Sequence, residues 1–524
     1  MIIDSTDFDP AALAYSFDVC IVGAGTSGLF LAHELSTKGM KVLIIEQGDD
    51  SHVSPEEFGK LTSYVSHIYD GADNGRSIGL GGTSLLWGGQ LIPLLQSDFS
   101  FRPFFKLSRW PLKFSDLYFY YLKVLSLYGI NFNNNSFDHE VNFSKSFNKR
   151  LSIWLPFSKR NQYSFFKKKL HSSSSVFVVK RALFKRFNFS NGRIDSAIIN
   201  KSDGIDIAIK ADHFVLTSGA IESTRLMLEF DQENNHPLTH KGSPLGKYFS
   251  DHLSFRLGRV EIKDFKSFSN LVLPIFQNGI MRTPRFELKS SYQITNSSPS
   301  AFAHFVFVND SFNVIDFVKH FLRFIQGKEK FSLSPEMFNP KMFFDFVNLL
   351  YYRFFKKRLW IPKSSKVFLQ VDIEQLPSEK NLLKLRCPNS TASDDSLVLD
   401  WQVSDRDVDF AIQIAKQFST DWSRNGYSSI AEIVLTSKSD VDDSGASPFD
   451  VFHPTGSLRM GDTVETSVVD RDLKVWGVEN LWISSTAVFP SSGSANPGLT
   501  HLALTSRLSD KLFELISCDS EEGS

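Results

Sequence analysis

The chain has 524 residues, enough for one large core or two to three domains. Hydrophobic residues make up 42% and charged residues 22%, the proportions of a soluble globular protein, and a net charge of −1 gives no overall field that would draw nucleic acid or an anionic membrane. Cys20, Cys387 and Cys518 lie far apart without CxxC spacing, which argues against a disulfide framework or zinc site and for a reducing, cytoplasmic setting.

The segment before Phe17 holds Asp4, Asp7 and Asp9 and no Lys or Arg, so no secretory signal is expected there, and no apolar run is long enough to span a bilayer. Residues 17–22, FDVCIV, read as a buried strand ending at glycine. Residues 26–38 read as a helix with Leu29, Leu31, Ala32 and Leu35 on its apolar face, closed by Gly39. Lys41–Glu46 reads as a second parallel strand, completing a βαβ unit. Its turn carries Gly23-Ala24-Gly25-Thr26-Ser27-Gly28, a dinucleotide fingerprint. Gly23 allows the tight turn, Gly25 lets backbone approach a pyrophosphate, and Gly28 permits close helix–strand packing. Glu46 ends the second strand, where a carboxylate accepts hydrogen bonds from a ribose diol and repels a 2′-phosphate, disfavouring NADP. The unit alone does not choose between NAD and FAD.

Residues 75–92, GRSIGLGGTSLLWGGQLI, crowd glycine around Thr83, Ser84 and Trp87, as backbone packed close to a ligand or to other backbone requires. A second αβ-like stretch spans 176–229, with strands at Val176–Val179 and 213–217 and a helix opening at Gly219-Ala220-Ile221-Glu222-Ser223. From about 260 to 440 strand-like runs alternate with Phe-rich, Lys/Arg-dotted helical stretches such as Phe312–Ile325 and Met342–Phe355, and residues 366–385 read as strands around a Pro377 turn. Phenylalanine is unusually abundant, 50 of 524 residues. The Phe/Lys/Arg clusters admit two readings: a membrane-surface patch, or helices packed as a cap over the substrate domain. The cap is favoured, because core helices share that pattern. The tail, CDSEEGS, is polar and acidic and is expected to be disordered.

Near the end stand His453-Pro454-Thr455-Gly456 and Ser494-Ala495-Asn496-Pro497-Gly498. Oxidising an alcohol needs a base near the working pH for the hydroxyl proton, and histidine suits that best. An Asn beside it can hold the substrate oxygen without taking the proton. On local chemistry alone, a structural His and an Asn-Pro turn remain open readings.

Matching blocks from start to end give the chain a resemblance to the glucose-methanol-choline (GMC) flavin-dependent oxidoreductases. They are GAGTSG with Glu46, then Gly81–Gly89, Trp110-Pro111 leading into Asp116–Tyr121, Thr217–Leu226, His453–Gly461 and Asn480–Arg507. The resemblance implies an α/β fold: a Rossmann-like FAD-binding domain from residues 1–259 and 441–524, with substrate-side insertions around 110–170, and an α+β substrate domain with an antiparallel sheet at 260–440. It implies FAD held by Gly23, Gly25, Thr26, Ser27, Gly28, Glu46, Gly82, Thr83, Ser84, Trp87, Gly88, Val179, Ser218, Gly219, Glu222, Ala487 and Pro497. His453 is implied as the catalytic base, with Asn496 its partner beside flavin N5. His252 and His501 are read as structural. Some members attach FAD covalently through a His in the second block; Leu86 stands there, so the FAD is expected to be non-covalent. Ser485 replaces an Asp that many members carry, a version similar to the branch of pyranose oxidase and the sugar and aminoglycoside dehydrogenases. The expected partner is a small-molecule alcohol, a sugar or polyol, with no nucleic acid and no metal. Lyase or decarboxylase chemistry on the same flavin, or a membrane-surface flavoprotein acting on amphiphiles, are the alternatives.

Overall fold

The computed structural model describes residues 1–9, 17–60, 62–105, 109–130, 140–309, 314–325, 340–386, 397–436 and 448–522. Phe17–Val22 lies inside a six-stranded sheet whose order is Ile2–Asp4, Val176–Lys180, Val42–Ile45, Phe17–Val22, Ala211–Leu216 and Leu481–Ile483. Every neighbouring pair is parallel. Strands of such a sheet are covered on both faces, which is why they read as continuous apolar runs. Connections leave Phe17–Val22 to one side first and later to the other, so the loops after it and after Ala211–Leu216 open on a crevice at the carboxyl ends of the strands. Helix Thr26–Ser36 packs on the sheet through Gly28. A Cβ there would sit 2.0 Å from the Gly23 carbonyl oxygen and 2.7 Å from Thr217 Oγ1, so only glycine lets helix and strand come this close.

The second unit is a ten-stranded antiparallel sheet. Its main path runs Ala431–Leu435, His252–Ile262, Lys366–Glu374, Ala301–Val308, Ile280–Leu288, Phe147–Trp154 and Gln90–Leu91. Helix Asp405–Arg424 covers one face, burying Phe410, Ile414, Phe418 and Trp422 into the sheet's core. Two expectations shift here. The strand His252–Ile262 pairs with Lys366–Glu374, so the second unit begins at about His252 rather than at 260. Within the described part of the 110–170 insertion, Phe147–Trp154 and the short strand Val141–Asn142 beside it join this sheet, whereas helices Phe114–Leu127 and Gln162–Ser172 send Leu117, Tyr121, Val124, Phe166 and Leu170 into the nucleotide-side core. Strand partnership decides both, and a local apolar pattern does not report it.

The polar tail is also ordered further than expected. Helix Gly498–Glu522 takes in Cys518–Glu522 of that tail. Of the predicted helix Phe312–Ile325, Val314–Ile325 is observed, and Phe312 lies outside the described residues, as does Cys387.

A buried ion pair joins the two units. Arg102 Nη1 and Nη2 donate to the Glu374 carboxylate at 2.6 and 3.1 Å, and Glu374 also accepts from the Gly493 amide at 2.9 Å. Both side chains are buried, Glu374 completely. Removing one partner of such a pair strands the other charge in a medium that cannot solvate it. Glu374→Ala is expected to destabilise the protein by about 3–5 kcal/mol, read as a fall in the denaturant midpoint of tryptophan fluorescence; a midpoint equal to the parent's contradicts this account of the junction.

Candidate active site

A cavity of about 440 Å³ opens at the crevice between the two units. Its wall carries Gly23, Gly25, Thr26 and Ser27 from the fingerprint turn, Glu46, then Gly82, Thr83, Trp87 and Gly88, then Ser218, Gly219 and Glu222, and finally His453, Asn496 and Pro497. Four of the expected cofactor residues lie elsewhere. Gly28 is the packing glycine described above. Ser84 is buried, donating to Gly81 O and accepting from the Gln162 amide, so it holds the glycine loop in shape. Val179 is fully buried inside the parallel sheet, its carbonyl accepting from Glu46 N, and the cavity is met instead by Ala182 and Phe184 just beyond it. Ala487 uses its carbonyl on Leu458 N, leaving Thr486 on the wall.

The residues present fit an extended, phosphate-bridged dinucleotide such as FAD. Helices Thr26–Ser36, Ala220–Glu233 and Gly498–Glu522 all begin on the cavity wall, so their N-terminal partial charges converge on it, as a pyrophosphate and an electron-accepting ring both require. Gly82 has φ +49° and a Cβ on it would lie 2.9 Å from Gly25 Cα, so two glycine loops close on one another where a ligand's backbone contacts belong. Glu46 accepts from Ala24 N and Gly48 N, both at 2.8 Å. Each carboxylate oxygen keeps a lone pair for a ribose hydroxyl. Burial raises the Glu46 carboxyl above its ordinary value, against the pull of those amides. Glu222 is held ionised by Lys60 and Arg225 despite its burial. His501 Nε2 is buried on the wall with no hydrogen-bond partner, a donor or acceptor that a bound ligand would satisfy. His501, expected to pack at a helix start, therefore also faces the cavity.

At the far end the catalytic candidates meet. The backbone turns through Phe452 at φ +65°, a conformation rare outside glycine, and this presents the His453 amide to Asp251, both carboxylate oxygens accepting at 3.0 Å. The Asp251 carboxylate also accepts from Tyr69 Oη at 2.7 Å and from His252 N at 2.6 Å. Burial pushes the Asp251 carboxyl up to about 8, opposed by Tyr69 and reinforced by the nearby Asp450.

The ring of His453 is held by a second histidine. His252 Nε2 lies 2.7 Å from the Gly493 carbonyl, and a carbonyl only accepts, so Nε2 carries the proton. Burial lowers the His252 pKa, leaving that ring neutral and its Nδ1 bare. His453 Nδ1 is 3.0 Å from that Nδ1 and must donate to it. Burial, and then the neighbouring His252, push the His453 pKa down to about 3. A neutral His453 with its proton on Nδ1 exposes a bare Nε2, and this atom faces Asn496 Nδ2 at 3.5 Å. Asn496 is fixed in turn: Arg285 Nη1 donates to its Oδ1 at 3.1 Å, which turns the amide NH₂ toward His453. Arg285 also donates to Ser494 O and is paired with Glu287 at 2.6 Å, deep in the antiparallel sheet. Base and amide are thus both set by groups from the second unit. His252, read from the sequence as structural, instead lies ring to ring with His453. Arg285 carried no sequence signal, because only strand register brings it to the loop.

Comparisons with known proteins bear on the family and the fold. A family model described as GMC oxidoreductase matches residues 377–505, and one described as FAD dependent oxidoreductase matches residues 18–116. Residues of the chain are 45% identical over 58 residues to "Dehydrogenase str4" of Strobilurus tenacellus and 30% identical over 166 residues to "C-glycoside 3-oxidase" of Microbacterium trichothecenolyticum. These matches cover 11% and 30% of the chain, but only 9% and 32% of those relatives' own lengths. The fold is shared with pyridoxine 4-oxidase from "Mesorbium loti", at a TM-score of 0.59 and 16% identity over 95% of this chain and 99% of that one. It is shared with formate oxidase at a TM-score of 0.57 and 15% identity over 96% and 99%. Both matched modules, the GMC oxidoreductase one at residues 377–505 and the FAD dependent oxidoreductase one at residues 18–116, thus contribute to one cavity, on a fold shared with known oxidases along nearly the whole chain.

Proposed function

We propose that the protein oxidises the CH–OH group of a small alcohol, with non-covalently bound FAD, and that sugars or other polyols are its substrate class. The observation that carries this is the pairing of a bare His453 Nε2 with the donating amide of Asn496 on the wall of the cavity that the glycine loops also line. Bound FAD supplies the hydride acceptor. A substrate hydroxyl placed between the two side chains donates its proton to His453 Nε2, and its oxygen accepts from Asn496 Nδ2. The 3.5 Å separation leaves that amide hydrogen weakly engaged until an oxygen arrives. As the proton leaves, Asn496, oriented by Arg285, stabilises the developing alkoxide. Non-covalent attachment is supported by Leu86, whose side chain cannot bond to the flavin. A sugar or polyol is supported by the relative named as a glycoside oxidase and by Ser485 in the last block.

A panel of sugars, amino sugars and aliphatic alcohols, mixed anaerobically with the FAD-loaded protein, tests the assignment through bleaching of the flavin spectrum. His453→Ala is expected to keep the flavin and slow that bleaching by about 10²–10⁴-fold; an unchanged rate removes His453 from the reaction. The low pKa of His453 sets a sign for pH. A base must be unprotonated, so its rate holds a plateau wherever pH exceeds its pKa and falls below it. Flavin reduction should therefore stay level down to about pH 5, and an acid limb centred near 6.5 would contradict a neutral, buried His453. His252→Leu removes the acceptor for His453 Nδ1–H and frees the ring to adopt the other tautomer. Its reduction rate should drop by at least about a hundredfold, while His252→Gln, which keeps an acceptor, should recover most of it. Equal losses in both variants would reduce His252 to a packing residue.

A further inference from the structure

The Phe-rich segment is not a cap. Helix Val314–Ile325 and helix Pro340–Tyr351, continued by a π-helical turn through Lys356, leave ten large apolar side chains between Phe321 and Phe355 substantially exposed. Phe343 and Phe344 are each 67% exposed and Phe355 is 76% exposed. At 100° per residue, the exposed apolar positions of helix Pro340–Tyr351 cover an arc of about 160°, so the helix presents a broad apolar face to solvent instead of to the core. An apolar surface of this kind calls for an occupant.

Charge identifies the occupant. Residues 314–325 and 340–358 carry seven Lys or Arg against two Asp, in a chain whose net charge is −1. Four of the seven, Arg353, Lys356, Lys357 and Arg358, follow directly on the exposed aromatic helix. Exposed Phe bordered by a cationic edge matches the layered chemistry of an anionic lipid surface, with acyl chains below and phosphates above. No helix among the described residues is long and apolar enough to cross a membrane, so the contact would lie in the interface. The segment is also tied to the cavity. Phe276 N donates to Lys357 O at 2.8 Å, Phe276 pairs with Met281, Met281 pairs with Trp154, and Trp154 lines the cavity. Three strand spacings, about 14 Å, separate the base of the aromatic segment from the cavity wall.

We propose that these two helices are a docking platform that seats the protein on an anionic bilayer surface, with the Trp154 side of the cavity close to the lipid. The proposal stands on the surface alone and does not depend on which alcohol is oxidised. Flotation of the full-length, FAD-loaded protein with vesicles tests it, comparing phosphatidylcholine alone with phosphatidylcholine containing about one-third phosphatidylglycerol, at low and at about 0.5 M salt. The protein should float with the anionic vesicles at low salt and much less at high salt. Combining Phe343→Asp, Phe344→Asp and Phe355→Asp should reduce bound protein by about tenfold or more, with flavin spectrum and flavin content unchanged, since these side chains touch solvent. Lys356→Glu with Lys357→Glu should weaken binding to the anionic vesicles in particular. Failure of the unmodified protein to float with anionic vesicles overturns the proposal. So does flotation that the triple variant leaves intact, or a concentration-dependent dimer that the triple variant disperses while no vesicle is bound, which would assign the face to a second copy.

Discussion

The carboxylate of Asp251 is the point on which both the fold and the chemistry turn. It accepts hydrogen bonds from Tyr69, from the backbone of His252 and from the backbone of His453, three segments far apart in the chain. A buried carboxylate is costly unless its lone pairs are filled, and here the filling groups are the ones that must be placed. Satisfying Asp251 brings strand His252–Ile262 of the antiparallel sheet to the loop that ends in His453. Once His252 and His453 share that anchor, the proton positions on both rings follow from one fixed acceptor, the Gly493 carbonyl.

Glu374 does for the opposite loop what Asp251 does for His453. It binds Arg102 and the Gly493 amide together, so the carbonyl that orients His252 belongs to a residue held at both its N–H and its C=O. Arg285 then reaches from the same sheet to Ser494 and Asn496. The nucleotide unit supplies His453 and Asn496 and the antiparallel sheet supplies their orientation. That division explains why the sheet is buried and charged where it meets the loops and apolar where it meets helix Asp405–Arg424.

The parts legible in the sequence are those set by near neighbours. The turn at Gly23–Gly28 is written in strand, glycine and helix signals within one short stretch, and Glu46 follows from the next strand. His453 and Asn496 were legible through the order of the blocks around them. What depends on register or on direction was not. Val179 and Ala182 are three residues apart in one strand–turn, and only the pairing with Val42–Ile45 decides which of them is sealed in the sheet. Arg285 is one of many charged residues in the middle of the chain until Phe147–Trp154 fixes its strand. Periodicity assigned the Phe-rich segments to helices correctly but could not say which way their apolar faces point, and they point outward.

The parallel sheet is closed by Leu481–Ile483, which pairs with Ala211–Leu216, and helix Gly498–Glu522 packs against helices Thr26–Ser36 and Phe114–Leu127. The Gly23–Gly28 turn is thus synthesised long before the elements that cover it. At ordinary ribosomal speeds that interval is on the order of half a minute to two minutes. Throughout it, the strand Ala211–Leu216 has an open edge and the first helix an uncovered apolar flank, surfaces that invite chaperone binding or aggregation. A nascent chain therefore gains His453, Asn496 and the closing strand together, well after the Gly23–Gly28 turn, and a product cut short before them keeps that turn without those groups.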